Sequence, residues 1–125
     1  MLGRTYATAL AALILCANGS FLSGCKAPGE GANAGAGYEY ARPVIAALKH
    51  YHDKRNEYPA ALRDLVPDYL SEAAWKSPEG TPASEFFEYK KSDSSYRLLF
   101  KYTGPGSNLC LYTPESAKWE CTGHY

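Results

Sequence analysis

The sequence predicts an α+β fold in which an N-terminal amphipathic helix and a short second helix pack on a three- to four-stranded antiparallel sheet. Over residues 40–55 apolar side chains recur every three or four positions, the period of a helix with one buried face. From residue 87 onward apolar and polar side chains alternate, the period of a half-buried strand. Two cysteines near the end of the chain add a third observation, because they fall in consecutive predicted strands.

Residues 1–24 have the pattern of an export signal. Arg4 supplies the positive charge, residues 6–17 the short apolar run, and residues 23–24 the small side chains that precede a cleavage site. A membrane-spanning helix would need about 20 predominantly apolar residues, and the polar segment 18–20 interrupts this run before that length. The alternative is an ordinary secretory signal followed by a coincidental cysteine.

The tetrapeptide Leu22-Ser23-Gly24-Cys25 resembles the lipobox of bacterial lipoproteins. The resemblance implies that the signal is removed before Cys25 and that this cysteine carries covalent lipid, the only cofactor-like group expected. Family members carry two or three acyl chains, which implies stable membrane anchoring, because one chain binds only marginally. Lys26 follows the cysteine instead of an aspartate, which in enteric bacteria implies the outer membrane, facing the periplasm.

Composition limits the remaining chain to one domain without a nucleic-acid site. The sequence has 13 basic and 13 acidic residues, and removal of the signal removes Arg4 alone among them, so no basic surface for a polyanion is expected. Of the four cysteines, processing and lipidation leave Cys110 and Cys121. An oxidising compartment favours a disulfide between these two, whereas a zinc site would need further ligands that the sequence does not display nearby.

The predicted domain has a flexible start. Residues 25–37 contain the lipidated cysteine and a stretch of glycine, alanine and small polar residues that has nothing large to bury, which predicts a flexible tether. The globular domain is therefore expected at residues 38–125.

The first helix is predicted over residues 40–55, with Pro43 in its first turn, where no amide hydrogen is needed. Asn56 is expected to end it, since asparagine tolerates the left-handed conformation. A short second helix is expected over residues 60–66, ended by Pro67. The buried stripe of the first helix is expected to consist of Tyr40, Val44, Leu48 and Tyr51.

Four strands are expected, around residues 87–90, 96–102, 109–112 and 118–121. If Cys110 and Cys121 face each other in the last hairpin, antiparallel register places Tyr112 opposite Trp119. An aromatic pair of this kind contributes about 0.2–1 kcal/mol, whereas a disulfide that closes a loop of this size contributes about 3 kcal/mol in the chain-entropy model.

The region from residue 40 to the end resembles the periplasmic domain of pseudopilins of the type II secretion protein G kind. The motifs that carry the resemblance are Ala47-Leu48-x-x-Tyr51, Asn56-Glu57-Tyr58-Pro59, Leu62 and Asp64-Leu65-Val66-Pro67-Asp68-Tyr69-Leu70. The resemblance implies a pilin-like helix and sheet. The sequence departs from that family where a lipobox replaces the apolar filament-building helix, and where Asp93 and its serine neighbours replace an acidic calcium loop. A head that does not polymerise, with no metal site, is therefore expected.

No catalytic residue is predicted. His50 and His52 are two positions apart on a helix and should point to different faces. Glu85 and Glu88 alternate with apolar residues, which is typical of the solvent-exposed face of a strand. Together with His124, these groups define the alternative function, an envelope enzyme or inhibitor that acts on cell-wall glycan or peptides.

The favoured function is a non-enzymatic, membrane-anchored binding or assembly module. Its expected partner is another envelope protein, such as a component of a secretion or pilus system. Tyrosine and tryptophan are enriched where proteins bind one another, so Tyr112, Trp119 and Tyr125 are the predicted partner surface, with ordinary packing as the alternative.

Overall fold

A computed structural model describes residues 27–104 and 106–124, except for the side chain of His124. A long helix is followed by a 3-10 turn, a one-turn helix and four strands. Their bounds are α1 Ala32–Arg55, the 3-10 turn Leu62–Leu65, α2 Ala83–Phe86, β1 Glu88–Lys91, β2 Tyr96–Thr103, β3 Ser107–Tyr112 and β4 Trp119–His124.

The four strands form one antiparallel sheet in the order β1-β2-β3-β4. Helix α1 lies on one face of it and shares a single hydrophobic core with that face. The largest fully buried side chains of the core include Val44 and Leu48 from α1, Leu65 from the 3-10 turn, and Leu98 and Phe100 from β2. The predicted α+β combination of a long helix and an antiparallel sheet is thus present.

Helix α1 begins at Ala32 rather than at residue 40, so the expectation of a flexible tether through residue 37 is wrong for residues 32–37. Ala34 and Gly37 are buried there. A Cβ atom on Gly37 would overlap the ring of Phe100. Small residues in this segment therefore let α1 approach the sheet closely, a role that composition alone does not distinguish from flexibility.

The earlier start changes the position of Pro43, which lies inside α1 rather than in its first turn. Proline costs a helix one backbone hydrogen bond, and here it lies on the partly exposed side of α1. The predicted end of the helix is confirmed: Asn56 has a φ of 58° and its amide donates to the carbonyl of His52.

The second helix is a 3-10 turn, Leu62–Leu65, shorter than the predicted 60–66. Its two leucines are buried beneath α1, and the carboxylate of Asp64 accepts a hydrogen bond from the amide of Ala61 at 3.2 Å. Helix α2 was not predicted, and it occupies residues just before the expected first strand.

The two faces of the sheet differ in composition. The inner face carries aromatic residues and the disulfide, whereas the outer face carries leucines between charged side chains. Three of these leucines are only partly buried, because no helix covers that face within the described residues: Leu99, Leu109 and Leu111.

Candidate functional site

The disulfide between Cys110 and Cys121 closes the β3–β4 hairpin. The two cysteines are directly opposed in the sheet, with Cα atoms 4.1 Å apart. The same register places Tyr112 opposite Trp119, as predicted. One known pair, Cys110 with Cys121, sets the register of an antiparallel hairpin. The register then determines which residues face each other along both strands.

Tyr112 and Trp119 are adjacent and partly buried. Their ring centroids are 5.3 Å apart. Trp119 also contacts the rings of Phe100, at 5.1 Å, and Tyr38, at 5.5 Å. The pair therefore contributes to packing against the core and retains some exposed area. Tyr125, the third residue of the predicted partner surface, lies outside the described residues, and binding at this surface stays a prediction.

A continuous row of aromatic rings extends across the inner face from this pair. Each neighbour in the row has ring centroids within 6.4 Å of the next. Four of the eleven tyrosines of the chain pack in this row. Its members, in spatial order, are Tyr38, Trp119, Tyr112, Tyr96, Tyr58 and His52.

The two histidines of α1 contact different aromatic side chains. His52 stacks on Tyr58 at 4.3 Å between centroids, whereas His50 meets the edge of Tyr69 at 5.2 Å. They thus point to different neighbours, which agrees with their two-residue step on a helix.

The glutamates of the alternative enzymatic interpretation are exposed on other elements. The expectation that both lie on a strand is wrong for Glu85, which belongs to α2, whereas Glu88 belongs to β1. The side chain of His124 lies outside the described residues. Within the described residues, no hydrogen bond or ion pair joins His50 or His52 to either glutamate, and each histidine contacts a tyrosine ring instead.

A cleft of about 570 Å³ lies between the N-terminal half of α1, the loop before α2 and the end of β2. Aromatic rings form its floor, with Tyr40 and Phe86 at 5.0 Å between centroids. Lys76 and Lys101 are charged side chains in its exposed wall. The cleft could not be predicted from the sequence, because its walls come from three distant segments and no local motif marks where they meet.

Tyr40 holds one wall of the cleft in place. Its hydroxyl shares its proton between the carbonyl oxygens of Trp75 and Thr81, each at 2.8 Å. Burial raises the pKa of Tyr40 to about 12. Burial also raises the pKa of Tyr89 and of Tyr96 far above the ordinary value.

These shifts predict a loss of stability at alkaline pH. Tyrosines of the unfolded chain ionise near pH 10, whereas the folded chain keeps Tyr40 protonated until about pH 12. The stabilisation from these buried tyrosines should therefore be fully present below about pH 10 and be lost as the pH rises from 10 through 12 and beyond. Denaturant midpoints at pH 8, 10 and 11, with tyrosinate absorbance at 295 nm, would measure this. Ionisation of every tyrosine near pH 10 with an unchanged midpoint would contradict it.

In the described part of the chain, no group of three or more histidine, cysteine, aspartate or glutamate side chains is placed to hold an ion. Asp93 is an exposed residue of the β1–β2 turn. The nearby Ser95 hydroxyl donates to the carboxylate of Glu115 at 2.6 Å.

Within residues 27–104 and 106–124, no helix combines the length and the apolar character that crossing a bilayer requires. Comparison of the chain with protein-family models, with curated proteins and with solved structures found no match.

Proposed function

We propose that this protein is a periplasmic lipoprotein of the outer membrane, and that its head is a non-enzymatic binding or assembly module accessory to a secretion or pilus system. One observation carries the proposal: residues 1–24 have the pattern of an export signal, this pattern ends in Leu22-Ser23-Gly24-Cys25, and a small disulfide-closed α+β head follows it. The lipid on Cys25 anchors this head in an oxidising compartment, where the disulfide is stable.

The order of elements supports a pilin-like interpretation of the head. A long helix, a loop that contains Tyr58-Pro59, and an antiparallel meander of four strands follow one another along the chain. This is the order that the resemblance to type II secretion pseudopilins implies. The lipobox replaces the apolar helix that builds their filament, so the head meets a partner at the membrane instead of stacking into a fibre.

Binding is favoured over catalysis by the surroundings of the ionisable groups. His50 and His52 pack against separate tyrosines, and Glu85 and Glu88 are solvated. The partly exposed pair Tyr112 and Trp119 supplies instead the kind of amphipathic aromatic surface that protein interfaces use. Its partner in this proposal is another envelope protein.

Labelling of cells with radioactive palmitate tests the anchor. Cys25→Ala should abolish the label and move the protein from the membrane fraction to the soluble fraction, because the acyl chains supply the membrane affinity. Cys16→Ala is the matched control, since Cys16 lies within the signal and should leave the label unchanged. Undiminished labelling of the Cys25→Ala protein would refute lipidation at this residue.

Photo-cross-linking in the same cells tests for the protein partner. A photo-cross-linking residue at Lys118, which is exposed directly before Trp119, should give one reproducible protein adduct. The same residue at Arg42, which is exposed on α1, is the control and should give none. Failure of Lys118 to give any reproducible adduct would count against a binding module at this surface.

A further inference from the structure

The described part of the chain begins with a segment that is docked on the domain. The amide of Gly29 donates to the hydroxyl of Tyr102 at 2.6 Å, and the hydroxyl of Tyr38 donates to the carbonyl of Gly29 at 2.7 Å. A Cβ on Gly29 would lie 2.9 Å from the Sγ of Cys121. Gly29 has a φ of 92°, which glycine adopts without strain. The segment thus fits closely against the disulfide.

Two further contacts fix the chain on either side of Gly29. The amide of Glu30 donates to the carbonyl of Ala27 at 3.0 Å, which closes a turn. The side-chain amide of Asn33 donates to the carbonyl of Thr103 at 2.6 Å. The docked chain therefore includes Ala27, and Lys26 alone separates Ala27 from Cys25 in the sequence.

The short separation in sequence limits the distance between Cys25 and the folded head. Consecutive Cα atoms are about 3.8 Å apart, so the Cα of Cys25 lies within about 8 Å of that of Ala27. A lipid on Cys25 would hold the docked segment at the headgroups. A free tether through residue 37, as predicted from composition, would instead have let the head move away from the bilayer.

The docked segment lies at one end of the sheet. Pro28 is 3.1 Å from a Cβ placed on Gly123, near the end of β4. In the sheet, Thr103 pairs with Ser107 and Ser107 with His124, so the β2–β3 turn is at this same end. The β1–β2 turn, with Ser94, is at the other end of the eight-residue strand β2, about 23 Å away.

We propose that this end of the head faces the lipid bilayer and rests on its headgroups; we call it the membrane-proximal end, and it consists of residues 27–33, 103–104 and 106–107. The proposal rests on the proposed lipid at Cys25. Asn33, Thr103 and Ser107 are exposed and uncharged there, and Glu30 is acidic. The described residues of this end include no basic side chain, so the short anchor, and not attraction of this surface to anionic lipid, imposes the contact. The cleft shares Asn33 and Thr103 with this end and so lies beside the membrane.

Fluorescence quenching in vesicles tests the orientation. The full chain, purified from the membrane in its lipidated form, is labelled at Ser107→Cys or at Ser94→Cys and placed in phosphatidylcholine vesicles that carry a headgroup-linked nitroxide. The native cysteines do not compete, because one is acylated and two form the disulfide. We expect quenching at position 107 to be several-fold stronger than at position 94. Equal quenching at the two positions would overturn the proposal.

A spacer variant is the matched control. Insertion of about twelve glycine and serine residues between Lys26 and Ala27 adds about 20 Å of flexible chain, and should reduce quenching at position 107 to the level at position 94. Persistence of the strong signal would show that the short anchor is not its cause, which overturns the proposal. The difference between positions should also be the same in vesicles with anionic lipid, and a difference seen only there would overturn it.

Two measurements distinguish the failure of the lipid anchor from the failure of the proposed orientation. The mass of the N-terminal peptide shows whether Cys25 carries lipid. Absence of lipid removes the proposed function and the orientation together. Lipid on Cys25 with equal quenching at positions 107 and 94 removes the orientation alone.

Discussion

Gly37→Ala is expected to lower the free energy of unfolding by about 1–3 kcal/mol, the usual cost of overpacking a core. A methyl group on Gly37 would overlap three atoms of the Phe100 ring. That ring is 1% exposed and is surrounded by Phe86, Phe87 and Trp119. It therefore has no free space into which to move, and either α1 must shift outward or the ring must leave its rotamer.

Gly35→Ala is the control, because it lies on the same helix with no atom within 4 Å of the added methyl group. It should raise the free energy of unfolding by about 0.5–1 kcal/mol, since alanine is the better helix former. Chemical denaturation followed by circular dichroism measures both variants. The double variant Gly37→Ala with Phe100→Leu should lose less than the sum of the single losses, because the smaller side chain makes room. A Gly37→Ala protein as stable as Gly35→Ala would refute the close approach of α1.

Replacement of both cysteines of the disulfide by alanine is expected to cost about 3 kcal/mol, since the unfolded chain gains the freedom of a loop that the bond had closed. For a domain of this size each kcal/mol corresponds to about 4–8 °C in melting temperature, so a fall of about 12–24 °C is expected. Loss of the bond should also weaken packing outside the hairpin. The hydroxyl oxygen of Tyr38 lies 3.3 Å from the Sγ of Cys121, and the turn at Gly29 packs against the same sulfur.

Reduction of the unaltered protein provides the matching measurement. Dithiothreitol should lower its melting temperature by a similar amount and should leave the double-alanine variant unchanged. Titration of thiols in the unfolded, unreduced mature protein should detect neither cysteine. Two reactive thiols in that titration, or a melting temperature insensitive to the double replacement, would contradict the role given to the bond.

Local signals in the sequence predicted those features that depend on near neighbours. The apolar stripe of α1, its end at Asn56 and the alternation in β2 each follow from periodicity or from the conformational freedom of one residue type. The pairing of Tyr112 with Trp119 followed from the cysteine register, because every pair in an antiparallel ladder is set once one pair is known.

Features that depend on distant segments were missed or misjudged. Glycine and alanine before residue 38 predicted a flexible tether, but a helix begins at Ala32 because Gly37 packs against Phe100, far away in sequence. Helix α2 and the cleft were missed for a related reason. Tyr40, Trp75 and Thr81 meet where the loop before α2 folds against α1, and none of them belongs to a recognisable motif.

By itself the sequence determined the order and type of the main elements, the hairpin register and the resemblance of residues 22–25 to a lipid-attachment site. Tertiary structure alone decided how much chain separates Cys25 from the folded head. In a segment that mixes the two residues, the low helix propensity of glycine opposes the high helix propensity of alanine. Composition therefore does not choose between a linker and a helix, and the docking of Gly29 and Gly37 makes the choice.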